Sequence, residues 1–163
     1  MKTKRKYEML SITLSLLVLV AACLFPAYYT VCEGVHSSTP GYYCLIGGPV
    51  SLPFSVIFIS DPNENWNLIW FANVPYALAI YYFYKRKKRA LAFAALALAV
   101  GCIFETCHPV WFNGRDSLEP IVMAGKGAGY YLWLASLAIL LAGIILRPLF
   151  SRSKPRRMPD NGS

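Results

Sequence analysis

The sequence is poor in charged residues and nearly without histidine. Asp, Glu, Lys and Arg make up 15% of the 163 residues, histidine occurs twice, and 56% of the chain is hydrophobic. A soluble globular domain carries about 25% charged residues, so this composition excludes the ordinary soluble class. Acidic residues are fewer than basic ones, eight against 16, so the net charge is +8.

Several motifs that carry enzyme chemistry are missing. The sequence holds no CxxC pair, no Gly-rich loop that ends in Gly-Lys-Ser or Gly-Lys-Thr, no GxSxG turn and no internal repeat. These absences weigh against dithiol oxidoreductases, P-loop nucleotide enzymes and α/β-hydrolases. We therefore predict no catalytic residues, no cofactor and no enzymatic activity.

Four stretches are apolar enough to cross a bilayer, since a helix needs roughly 20 apolar residues to span the hydrocarbon core. The third is clearly apolar only to Phe104, so it also needs the more polar residues that follow. The predicted spans are residues 9–29, 66–84, 90–108 and 129–146. The predicted fold class is an all-α membrane protein, a four-helix transmembrane bundle in one domain of residues 1–150, with a disordered basic cytoplasmic tail at 151–163.

The positions of Lys and Arg predict the orientation. Fourteen of the 16 basic residues lie before the first span, between the second and third, or after the fourth, which leaves Arg115 and Lys126 for the other side. Because basic residues near span ends are retained in the cytoplasm, we expect both termini in the cytoplasm of a bacterial inner membrane. Topology then accounts for the +8 charge without nucleic acid. Binding of anionic lipid by the basic clusters is a secondary reading.

The N-terminus has an alternative interpretation. A basic start, an apolar run and the sequence Val20 to Cys23 resemble a lipobox, in which the chain is cut before Cys23 and that cysteine is lipidated. Cleavage would leave three spans. The apolar run continues past Cys23 to Tyr29, however, where a mature lipoprotein usually turns polar, and this favours an uncleaved helix.

Two loops, residues 30–65 and 109–128, are predicted to lie outside the cytoplasm. The first is expected to be structured, with an apolar, Gly- and Pro-interrupted segment at residues 45–60 that lies along the membrane interface. Its cysteines are in an oxidising environment, so disulfides are predicted, either Cys32 with Cys44 or one of these with Cys107. A thiol or quinone redox enzyme is the alternative, weakened by the missing CxxC.

Four residues are the only candidates for a metal site. Glu105, Cys107 and His108 are close in sequence, and His36 lies in the first loop. Their spacing matches no standard zinc ligand pattern, so we predict no metal.

Polar and small residues predict helix packing. Asn73, beside Pro75, is expected to bond the carbonyl that the proline frees or to bond across helices. Small side chains let membrane helices approach closely, so the third and fourth spans are predicted to pack together or against a partner protein. The alanines that carry this prediction are Ala92, Ala95, Ala99, Ala135, Ala138 and Ala142.

Short motifs carry one resemblance. The order GYYC at residues 41–44, WFAN at 70–73, a basic turn, and GYYLWLAS at 129–136 resembles a group of uncharacterised small bacterial four-helix inner-membrane proteins. The resemblance implies an envelope location and no activity.

The predicted function is contact between proteins. We expect an accessory or assembly subunit of an envelope complex, with the bilayer and a partner membrane protein, or a second copy, as partners. An immunity protein that protects the membrane from a pore-forming toxin is the alternative from another class.

Overall fold

The computed structural model describes residues 2–32, 34–42, 45, 71–103, 110–112 and 120–148. Within them the chain forms four helices and four strands. In chain order these are α1 (Lys2–Leu24), β1 (Pro26–Cys32), β2 (Val35–Pro40), α2 (Asn73–Tyr84), α3 (Arg89–Ile103), β3 (Val110–Phe112), β4 (Pro120–Lys126) and α4 (Ala128–Leu146).

Backbone chemistry sets several of the helix ends. Helix α1 ends just before Pro26, which cannot donate a helical hydrogen bond, and α4 begins after Gly127, whose backbone is extended. Pro75 lies in the first turn of α2, where the backbone N–H has no helical partner in any case. Pro75 therefore stands at the start of α2 and not within the interior of a helix.

Helices α1 and α4 form a closely packed antiparallel pair. Small residues face each other along it: Ser11 meets Gly143, Ser15 meets Ser136, and Ala22 meets Gly129. A Cβ atom added at Gly143 would lie 2.7 Å from the Ser11 Cβ, so the Ser11 side chain lies against the backbone of α4. The three α4 residues recur every seven positions, the spacing that keeps one side of a helix against its partner.

Helices α2 and α3 form a hairpin that packs against this pair. The basic turn between them contains Arg86 in the left-handed region, with φ of 57°. The Tyr82 and Phe93 rings stack across the hairpin at 5.3 Å. The main core lies where the helices meet, and its buried residues are Ile12, Tyr76, Ala79, Phe83, Ala90, Ala94, Ala97, Leu137 and Leu140.

A four-stranded antiparallel sheet with the order β2-β1-β4-β3 lies at one end of the helices. Strand β1 continues from α1 and β4 leads into α4, so the two central strands extend the α1–α4 pair. A second buried cluster, Ala27, Tyr28, Met123 and Tyr130, joins the sheet to α4. Backbone bonds tighten this junction, from Gly127 N to Ala27 O at 2.8 Å and from Gly41 N to Phe25 O at 2.9 Å.

The predicted all-α four-span fold is wrong. Strand β1 comes from the end of the first predicted span and the start of the first predicted loop. Strands β2, β3 and β4 come from segments predicted as loops. Among the described residues, two helices are long and apolar enough to cross a membrane, 5–24 and 128–146, while Arg89–Ile103 is apolar but shorter. The first predicted span fails beyond Leu24 because residues 26–32, with adjacent aromatic and β-branched side chains, pair as a strand. The predicted interfacial segment and the tail lie outside the described residues, apart from Leu45.

Most of the predicted packing alanines lie outside the core of the described residues. Ala92, Ala95 and Ala99 are exposed, and so are Ala138 and Ala142, while Ala135 is half-buried. The buried side of α3 is the opposite one, Ala90, Ala94, Ala97 and Gly101. Because α3 is rich in small residues on both sides, the pattern alone did not distinguish them. Packing of the exposed alanines against a partner stays a prediction.

Candidate functional site

The end of the helices opposite the sheet is joined by one buried carboxylate. Glu8 of α1 is 4% exposed. Its Oε2 accepts a hydrogen bond from Arg86 Nε at 3.1 Å, and its Oε1 lies 3.0 Å from Arg147 Nε. Arg86 stands in the α2–α3 turn and Arg147 directly after α4. Glu8, Arg86 and Arg147, here the Glu8 cluster, therefore tie together three separate parts of the chain.

The charges of the Glu8 cluster are unequal. One carboxylate faces two guanidiniums whose side chains are 37% and 31% exposed. The Arg147 contact has ion-pair distance without hydrogen-bond geometry, so Oε1 has no hydrogen-bond partner in the described part of the chain. A buried carboxylate needs such partners, because an unpaired charge away from water is costly. The cluster keeps one net positive charge at its solvent side.

More basic and aromatic side chains surround this cluster. The exposed cations include Arg5, Lys6 and every residue of the turn at 85–89. Arg5 donates to the Tyr84 hydroxyl at 3.4 Å, and Lys85 Nζ lies 5.9 Å from the centre of the Tyr81 ring. The basic residues of α1, the turn and Arg147 thus lie at one end of the molecule. We call this the basic end.

A chain of hydrogen bonds crosses the helix interior. The Ser15 and Tyr76 hydroxyls are 2.6 Å apart, and Ser15 also donates to the Ser136 carbonyl at 2.7 Å. Further along, Trp133 Nε1 donates to Asn73 Oδ1 at 3.0 Å. Asn73 therefore does bond across helices, as predicted. These hydroxyl, indole and amide groups pair with one another and carry no charge, so the arrangement specifies which helices pack together.

The sheet offers a different kind of surface. Strand β2 is one of the two edge strands of the sheet. Residues 35–38 are exposed, and Val35 is 67% exposed. Its inner edge pairs with β1, where Thr30 Oγ1 and Ser37 Oγ lie 2.7 Å apart. Among the described residues, no strand pairs with its outer edge. That edge presents backbone N–H and C=O groups, the pattern to which another strand can add.

The structure separates the predicted site residues. Cys23 is half-buried on α1 and Cys32 lies at the end of β1, each with a free thiol. His36 is exposed on β2. The described residues contain no group of three His, Cys, Asp or Glu side chains that could hold a metal. Cys44, Glu105, Cys107 and His108 lie outside the described residues, so the disulfides stay a prediction that the free thiol of Cys32 does not support.

Sequence reasoning missed the Glu8 cluster. The available signal was one acidic residue, Glu8, between the basic N-terminal segment and the first predicted span. It also missed Ser15, Tyr76 and Ser136, although serine in apolar helices is a common interhelical donor.

No protein-family model, curated protein or solved structure matches this chain. The resemblance to small inner-membrane proteins accordingly stays a prediction, and function is argued from the contacts above.

Proposed function

We propose that this chain is an integral membrane protein that acts by contact, as an accessory or assembly subunit of an envelope complex. Helices α1 and α4 cross the bilayer, and the sheet stands on the non-cytoplasmic side as the surface that receives the partner.

The membrane placement is supported by the outer faces of the helices. Large apolar side chains are exposed along both long helices, among them Leu10, Leu14 and Leu17 on α1 and Ile145 on α4. Lipid acyl chains can cover such faces, and a contiguous exposed apolar surface of this kind is unusual in a soluble monomer. The basic end supports a cytoplasmic position for both termini, because Lys and Arg near span ends are retained there.

The outer edge of β2, with which no described strand pairs, is the observation that carries the contact function. A partner segment that adds to this edge gains backbone hydrogen bonds, and exposed side chains such as Val35 and Ser38 select it. Natural edge strands that avoid pairing often carry charged residues or proline. Strand β2 contains no Lys, Arg, Asp or Glu, and its one proline, Pro40, is its last residue. The interior polar groups, in contrast, are already paired with one another.

Co-purification from native membranes tests this proposal. We expect the tagged chain to bring down a stable partner, and Ser38→Lys to abolish recovery because a charge on the edge disfavours strand addition. Val122→Lys is the matched control: Val122 is exposed on β4, an inner strand, so the same charge is placed on the sheet without blocking its edge. A chain that emerges alone and monomeric from mild detergent would contradict the proposal.

The identity of the partner separates the two alternatives that come from the sequence. Recovery of a pore-forming toxin would replace the subunit role with immunity. Redox-sensitive gel mobility together with a bound quinone would show instead that the chain is a thiol or quinone redox enzyme. If Val122→Lys and Ser38→Lys reduced partner recovery equally, the result would show that the partner binds the face of the sheet and not its edge.

A further inference from the structure

The two arginines of the Glu8 cluster have unused hydrogen-bonding capacity. Both contact Glu8 through Nε. In the described part of the chain, the terminal Nη groups of Arg86 and Arg147 make no hydrogen bond or ion pair, and Arg147 packs its guanidinium 6.0 Å from the Phe83 ring centre. Each guanidinium therefore keeps N–H donors that can bind a further anion.

Glu8 holds these donors in place. A free arginine loses side-chain entropy when it binds an anion, but here the buried carboxylate anchors both side chains beforehand. The turn adds to this positioning, because Arg86 has a left-handed backbone conformation that residues other than glycine seldom adopt. Two guanidiniums share one carboxylate, so a second negative charge completes the balance.

We propose that the Glu8 cluster is a binding site for the phosphate of an anionic phospholipid. This inference rests on the proposed membrane placement and not on the accessory role. A phosphodiester supplies the missing negative charge, and guanidinium N–H groups match its oxygens. Acyl chains have apolar surface beside the site: Met9 and Leu10 follow Glu8, and Ile145 and Leu146 precede Arg147, all four exposed. Free phosphate would use the charges but not this surface.

Lipid titration of the purified protein tests the site. In dodecyl maltoside micelles, we expect dioleoylphosphatidylglycerol to raise the unfolding temperature saturably, and dioleoylphosphatidylcholine and inorganic phosphate to leave it unchanged. Arg147→Gln should weaken the apparent affinity roughly tenfold, the effect of losing one charge-assisted contact. Arg86→Lys keeps the charge but loses the guanidinium fork, so it should also weaken binding.

Lys88→Gln is the matched control. It removes one exposed charge from the same turn, at a residue outside the Glu8 cluster, and should leave the affinity nearly unchanged. An equal loss for Lys88→Gln and Arg147→Gln would overturn the site in favour of diffuse attraction by the basic end. A response to inorganic phosphate equal to that of the lipid would overturn the lipid assignment. For any variant that is too unstable to give an unfolding transition, native mass spectrometry measures the lipid that stays bound.

The separate proposals fail in different ways. Release of the chain from membranes by alkaline carbonate would refute the membrane placement and the lipid site together. A chain that resists carbonate but does not bind phosphatidylglycerol would refute only the lipid site. Co-purification of a partner is independent of either result.

Discussion

The two ends of this molecule are held together by different chemistry. At the basic end, one buried carboxylate and two guanidiniums join α1, the α2–α3 turn and the end of α4. At the sheet end, backbone hydrogen bonds between β1 and β4 and at Gly127 join the same two long helices. The basic end therefore depends on the identity of three side chains. The sheet end depends on how closely the backbone can approach, so it should tolerate side-chain changes but not added bulk at Gly127 or Gly129.

The largest effect is expected at the junction of helix and sheet. A Cβ atom added at Gly129 would lie 2.6 Å from Phe25 O, 2.8 Å from Ala22 O and 2.9 Å from Pro26 O. Backbone oxygens cannot rotate away, so Gly129→Ala should destabilise the fold by about 3 kcal/mol, the upper range for overpacking. Unfolding in mixed micelles with increasing SDS, followed by far-UV circular dichroism, measures this loss.

Gly125→Ala is the control for that substitution. Gly125 is also a glycine of the sheet region, but a Cβ atom there meets nothing within 4 Å. Its unfolding midpoint should stay close to that of the unmodified chain. Similar losses for Gly125→Ala and Gly129→Ala would show that close backbone approach does not distinguish this junction.

The second effect tests the basic end. Glu8→Gln keeps the shape of the side chain but removes the charge that pairs with both arginines. We expect a loss of about 1–2 kcal/mol, because the contacts are charge-assisted but the arginines are partly open to water, which screens them. The same SDS titration at low and high salt should show the loss shrinking as ionic strength rises.

Single arginine substitutions sharpen this comparison. Arg86→Gln and Arg147→Gln should each cost less than Glu8→Gln, because the carboxylate then still keeps one partner. Gly129→Ala should lose the same stability at either salt concentration, since its cause is steric. A salt-independent loss for Glu8→Gln would mean that the basic end is held by packing and not by charge.

Sequence reasoning found the helices better than it found the sheet. The apolar runs located α1 and α4, because hydropathy is a local property of the chain. The cytoplasmic position of the basic segments stays a prediction. The strands were missed because their partners are far apart in sequence: Thr30 pairs with Met123, and neither segment shows strict alternation. The same limit applies to the Glu8 cluster, whose residues become neighbours only after α1, the turn and α4 have packed.

The smallest expected effect tests the sheet end through a side-chain pair. Thr30 is buried on β1, Ser37 is exposed on β2, and their hydroxyl oxygens lie 2.7 Å apart. A double-mutant cycle of Thr30→Val and Ser37→Ala should give a coupling free energy of about 0.5 kcal/mol, typical of cross-strand pairs. Because backbone bonds hold β1 to β2, this value should lie well below the coupling of Glu8 with Arg147 in the matching cycle. A Thr30–Ser37 coupling as large as the Glu8–Arg147 coupling would mean that side chains, and not the backbone, determine the sheet end as well.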